Sequence, residues 1–140
     1  MDHKTVEQYV LSMPDSKLDY PFGEDVAVYK VLMKDEETIE SGAIKRSEQG
    51  AGLASSQDGT KRGEWKMYAL IQEGKDPVRL SLKCDPELGK VLRERYESVQ
   101  EGYHLNKKHW ITIVLSGQLS WPEVQDLIRH SYQLVSGRQL

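Results

Sequence analysis

Between residues 78 and 92 the hydrophobic period of the chain changes at a single turn, and that change rules out most architectures. Val78, Leu80, Leu82 and Cys84 alternate with Arg79, Ser81 and Lys83, the period-two pattern of a strand with one buried face. Asp85 then offers an N-cap, Pro86 fits a first helical turn, and Leu88, Val91 and Leu92 form a helical apolar stripe. A half-buried strand that runs straight into an amphipathic helix calls for a sheet with helices against one face.

The remaining segments fit that plan. Val6, Tyr9, Val10 and Met13 recur at helical spacing and Pro14 closes the helix. Ser16 to Phe22 reads as a short extended piece, and Asp25 to Met33 and Trp65 to Ile71 as strands. His109 to Leu115 is a further strand, with His109, Ile111, Ile113 and Leu115 on one face and Trp110, Thr112 and Val114 on the other. A last helix opens with a capping box, Ser120 with Glu123, and Pro122 in its first turn. Val124, Leu127, Ile128, Ser131 and Val135 mark its buried stripe, and Gly137 can end it. The expected class is α+β: an antiparallel sheet of about five strands, helices packed on one face, in the order α-β-β-β-β-α-β-α.

One stretch breaks the rhythm. Residues 34–64 hold five glycines, many serines and charges of both signs, with few large apolar residues. They are expected to form a long, flexible hairpin insert within a single domain spanning 1–140. That length is enough for a real core without metals or disulfides. A hydrophobic content of 38% and a charged fraction of 29% suit a globular protein. The net charge of −3 argues against a chain coated in positive charge, but leaves room for local patches. Cys84 is the single cysteine, so nothing demands an oxidising compartment. The opening Met1-Asp2-His3-Lys4-Thr5 begins an amphipathic pattern, and no apolar run approaches the ~20 residues of a membrane span. A cytoplasmic location without membrane contact is expected.

Several phrases resemble the MmcQ/YjbR family. They are Tyr20-Pro21-Phe22-Gly23, Val28-Tyr29-Lys30-Val31, Arg79-Leu80-Ser81-Leu82-Lys83-Cys84-Asp85-Pro86-Glu87, Gly102-Tyr103-His104-Leu105-Asn106-Lys107-Lys108-His109-Trp110 and Ser131-Tyr132. Together they span most of the chain. The resemblance implies a small α+β sandwich related in shape to type III secretion chaperones and, more distantly, to frataxin-like folds. It also implies DNA binding through a double-wing arrangement in which hairpins flank the contact surface. The segment between Val31 and Lys66, a short turn in the family pattern, carries the long insert here, so one wing is altered.

Alternation alone gives a candidate surface. If Val78, Leu80 and Leu82 face the helices, Arg79, Ser81 and Lys83 face away. The same logic places Lys66 and Tyr68, Trp110 and Thr112, and Lys30 on that open face, with Lys107 and Lys108 at its edge and no acid among them. Cations neutralise phosphates while flat rings stack on unpaired bases. The expected function is therefore a DNA- or nucleic-acid-binding module. Arg79, Lys83, Lys66, Lys107 and Lys108 would hold phosphates, with Lys30 beside them, and Tyr68 and Trp110 would stack. Exposed strand positions also need polar residues for solubility, and exposed aromatics also mark protein interfaces. The alternative is a chaperone-like or self-associating protein-interaction module that uses this face or the last helix.

Metal and catalytic chemistry have less support. His104 and His109 lack companion ligands, no CxxC or HExxH appears, and His109 alternates with core residues. The first helix has no acidic ridge for iron, since only Glu7 follows Asp2. There is no GxSxG elbow, no P-loop and no Cys–His pair, and Asp85 is accounted for as a helix cap. Neither enzymatic activity, a cofactor nor a metal is expected. Lys45-Arg46 and Lys61-Arg62 offer a basic wing, but acids outnumber bases in 34–64, which favours a solvated loop.

Overall fold

A computed structural model describes residues 2–33, 64–102 and 105–139. The chain divides into two units, Met1–Val31 with Lys66–Leu140, and Leu32–Trp65. Apart from Glu64, the expected insert at 34–64 lies outside the described residues, as do Tyr103 and His104. Within the second unit, Met33 N donates to Glu64 O at 2.8 Å.

In chain order the elements are α1 (His3–Leu11), β1 (Ser16–Asp19), β2 (Val26–Leu32), β3 (Trp65–Gln72), β4 (Arg79–Lys83), α2 (Pro86–Arg95), β5 (Val99–Glu101), β6 (Trp110–Val114) and α3 (Trp121–Ser136). Among the described residues six strands form one sheet in the spatial order β1-β2-β3-β4-β6-β5. The α+β class and the helix layer are as the sequence predicts, with one strand more than expected. The added strand is β5, three residues with a single apolar side chain, too short to show a period. It pairs antiparallel with β6, and β6 with β4.

Each helix is held by local chemistry. Asp2 caps α1 by accepting from Thr5 N at 2.9 Å, and Val6 and Val10 are its buried residues. Ser120 and Glu123 make the expected capping box on α3, and Gly137 ends that helix in the left-handed region at φ 76°. Asp85 departs from expectation: its side chain makes no cap hydrogen bond, and its backbone N donates instead to His130 Nε2 of α3 at 3.3 Å. Val91 also departs from expectation and is 52% exposed. The buried position on α2 is Gly89, where an added Cβ would lie 3.3 Å from Ile111 Cγ2. Close approach through glycine turns Val91, two positions on, toward solvent.

The core lies between the helices and one sheet face. Ile111 meets α2, and the register places Leu82 beside Ile111, Leu80 beside Ile113, and Ala69 and Ile71 beside those two leucines. Tyr68 should point away from Ala69 by alternation, yet it too enters this layer. Its hydroxyl donates to Val10 O at 2.7 Å, and its ring meets Tyr132 edge-on at 5.2 Å. The alternation is thus interrupted between Tyr68 and Ala69. At that point Ser131 of α3 bridges two strands: its hydroxyl donates to Tyr68 O at 2.6 Å and accepts from Lys83 N at 2.9 Å. A side chain has replaced a rung of the β3–β4 ladder.

Candidate nucleic-acid interface

The register defines the sheet face opposite the core layer. On β4 it carries Arg79, Ser81 and Lys83. Gln72 and Leu70 of β3 pair with Arg79 and Ser81, while Trp110, Thr112 and Val114 of β6 pair with Lys83, Ser81 and Arg79. Gln100 of β5 stands beside Thr112. Val28 and Lys30 of β2 continue the face, with Asp19 and Lys17 of β1 as their partners.

This face is less open than alternation suggests. Val28, Leu70 and Trp110 form a buried cluster, with Val26, Met67 and Leu105 packed against it. Ser81 Oγ and Thr112 Oγ1 are hydrogen-bonded at 2.8 Å and both residues are buried. Trp110 is only 8% exposed, so its ring is core material and not a stacking platform. Its backbone lies close against Gly102, where an added Cβ would come within 2.7 Å of Trp110 Cβ. Tyr68 is fully buried on the opposite face. The two rings assigned to base stacking are therefore both unavailable for it, Tyr68 because of the interrupted alternation and Trp110 because of the apolar cluster.

The cations separate into groups. Lys30 Nζ donates to Asp19 Oδ2 at 3.1 Å, and this bond holds the Asp19 carboxyl below its usual range. An acid thus sits on the face expected to have none, and Lys30 is engaged by it. Lys66 is exposed, but alternation with Met67 puts it on the side of Tyr68, away from Arg79 and Lys83. Lys107 and Lys108 are exposed in the turn that leads into β6, ahead of the Trp110–Lys83 pair. Lys107 lies 3.8 Å from Glu101, and both are well exposed, so this ion pair is weak. Among the described residues neither Arg79 nor Lys83 has an ion pair, although both are half-buried.

Two polar hollows meet at Arg79. The smaller, about 270 Å³, is lined by Gln72, Lys75, Arg79, Gln100, Glu101 and Thr112. The larger, about 520 Å³, includes Arg79, Gln100, Ser98 and Gln118 in its wall. Sequence reasoning missed Gln72, Lys75, Gln100 and Ser98. Gln72 was legible as the next same-face position after Leu70, but Gln100 and Ser98 depend on β5, which had no readable period.

Cys84 is 3% exposed, and burial pushes its thiol up to about 11, so it is protonated at neutral pH. Among the described residues no three His, Cys, Asp or Glu side chains converge as a metal site, and no helix is long and apolar enough to cross a membrane. The metal reading of His104 lies outside the described residues.

A helix-backed antiparallel sheet, its far face carrying an apolar cluster and, beside it, Arg79 and Lys83 without an ion pair among the described residues, defines an α+β fold. The family model described as YjbR matches residues 51–134, and the chain belongs to this family, MmcQ/YjbR. The chain is 26% identical to YbdF of Escherichia coli O157:H7 over 95% of its own length and 83% of the relative's. It is 37% identical to YjbR of Escherichia coli K12 over 48% of its length, a match that covers 57% of that protein. The crystal structure of Deinococcus radiodurans DR2400, which has the family-model domain DUF419, superposes with a TM-score of 0.72 at 31% identity. That likeness covers 99% of this chain and 82% of the other. A Pseudomonas syringae protein superposes with a TM-score of 0.61 at 27% identity, covering 96% of this chain and 98% of that one.

Proposed function

We propose that this protein is a cytoplasmic, non-enzymatic nucleic-acid-binding module that grips the phosphate backbone through the β4 face. The observation that carries the reading is the pair of half-buried cations Arg79 and Lys83 at the two ends of one strand, neither with an ion pair among the described residues. Four strand steps separate them by about 13 Å, so they address different groups of an extended polyanion. Arg79 offers a planar fork suited to a phosphate, and Lys83, Lys107 and Lys108 supply point charges at the other end. With Tyr68 and Trp110 inside the fold, affinity comes from phosphate contacts and not from stacking on these two rings.

The test is a titration of fluorescent single- and double-stranded DNA with the wild type and with Lys83→Glu/Lys108→Glu. The expected result is at least about tenfold weaker binding and a flatter salt dependence in the double variant. Unchanged affinity in a folded double variant overturns the reading. If the wild type binds neither DNA and light scattering shows a stable dimer, the protein-interaction alternative takes its place. Tyr20 and Phe22, 43% and 63% exposed, and Leu134 of α3, 47% exposed, are the surfaces that favour that alternative.

A further inference from the structure

We infer that β1 is an interface between two copies of this chain, pairing antiparallel with itself to join two sheets edge to edge. The inference stands apart from the nucleic-acid reading, since the β4 face lies three strands from this edge and stays uncovered. In an antiparallel ladder the N–H and C=O of one residue turn to the same neighbour, and successive residues alternate. Glu73 N donates to Asp25 O and Met33 N to Glu64 O, both at 2.8 Å, so odd-numbered positions of β2 turn toward β3. The even-numbered Val28 and Lys30 then bond to Asp19 and Lys17 of β1. Leu18, between those two, turns its N–H and C=O outward, and among the described residues neither group has a partner. A bare edge is a template for another strand, and the sequence of this one complements itself.

About a twofold axis at Leu18, the outward groups of this residue bond to those of Leu18 in the second copy. Lys17 of each copy then faces Asp19 of the other, at the ladder position where side chains stand closest. Both lie on the far sheet face, beside Lys30 and Val28. The Asp19 side chain is 45% exposed; one carboxylate oxygen accepts from Lys30 and the other from Tyr20 N, which leaves a lone pair on each. Moving the axis to Lys17 or to Asp19 opposes like charges, and moving it by half a residue sets an outward backbone group against an inward one. The charges thus select one register. Tyr20 and Phe22, 43% and 63% exposed, follow β1 directly and add apolar surface at both ends of the paired strands. An edge of four residues makes a small interface, so the dimer is weak and concentration-dependent.

The measurement is sedimentation and amide hydrogen exchange of the full wild-type chain, from micromolar to millimolar protein. Monomer is expected to pass to dimer over this range. Leu18 N–H is expected to exchange at least about tenfold more slowly at the concentrated end, while Lys17 and Asp19 N–H, bonded to β2, stay protected throughout. Lys17→Asp makes the edge all acidic and Asp19→Lys makes it all basic. Each folded variant alone is expected to dimerise at least about tenfold more weakly than wild type, and an equimolar mixture of the two to recover the association. Mixing does not cure a folding defect, so recovery reads the register itself. A wild type that stays monomeric at millimolar concentration overturns the inference, as does a dimer in which Leu18 N–H still exchanges fast. Variants that dimerise alone at wild-type strength, or a mixture of folded variants no tighter than its components, overturn it too. Where Asp19→Lys, which sets a lysine beside Lys30, fails to fold, the exchange of Leu18 in the wild type decides.

Discussion

Ser131 does more for this fold than its size suggests. One hydroxyl satisfies Lys83 N on β4 and Tyr68 O on β3, two backbone groups that would otherwise face each other across the interrupted ladder. The residue is fully buried, so water cannot replace it. Its neighbour Tyr132 donates to Pro14 O and packs edge-on against Tyr68, which ties α3 to the end of α1 and to β3. Removing the hydroxyl leaves a donor and an acceptor buried and unpaired, each costing about 1–3 kcal/mol. Ser131→Ala is therefore expected to destabilise the domain by about 2 kcal/mol or more, read as a lower urea midpoint at unchanged slope. A loss within about 0.5 kcal/mol, the ordinary surface range, would mean the strands close on each other without it.

Among the elements, α3 was the most legible. Its capping box, its stripe through Val124 and Ile128, and its glycine stop were all readable, because caps and periodicity are local properties. Backbone and side-chain bonds from Ser120 hold the Glu123 carboxyl below its usual value of 4.5. A carboxylate whose folded value is lowered contributes stability that is fully present above its unfolded value and is lost as pH falls through the folded one. Glu123→Gln, which removes the charge that accepts from Ser120 N, is therefore expected to be less stable than wild type at neutral pH, with a gap that narrows as the pH falls below about 4.5. A gap independent of pH in urea unfolding would mean that the Glu123 charge contributes nothing to the cap. What local pattern could not give was tertiary in origin. Ser131 read as one more position in a stripe, although its role depends on two strands that lie far off in sequence. Tyr68 and Lys66 were assigned to the wrong side because a single interruption reverses every residue before it. Trp110 was on the expected strand and face, but whether a ring on a sheet face is exposed depends on Val28 and Leu70, brought beside it from other strands.

At the scale of the whole molecule, a net charge of −3 opposes the approach of a polyanion, so any attraction has to be local. The structure reduces the cations available for it. Lys30 is bound to Asp19 and Lys66 lies on the helix side, leaving Lys75, Arg79, Lys83, Lys107 and Lys108 on or beside the candidate face. Each phosphate neutralised on a single strand contributes about −0.7 to the slope of log affinity against log salt, so these five set a slope of about −3.5. Glu101, close to Lys107, pulls the figure toward zero, because part of that lysine's charge is already balanced before binding. The expected outcome of binding measured from low to physiological salt is thus a slope between about −2.5 and −3.5. Charge reversal at Lys83 should flatten it by more than reversal at Lys107, whose charge Glu101 already offsets. A slope steeper than about −5 would need cations beyond these five, and Lys45-Arg46 and Lys61-Arg62 would then be the next to reverse. A slope near zero at measurable affinity would mean that the ligand is held without its phosphates, and would overturn the role given to Arg79 and Lys83.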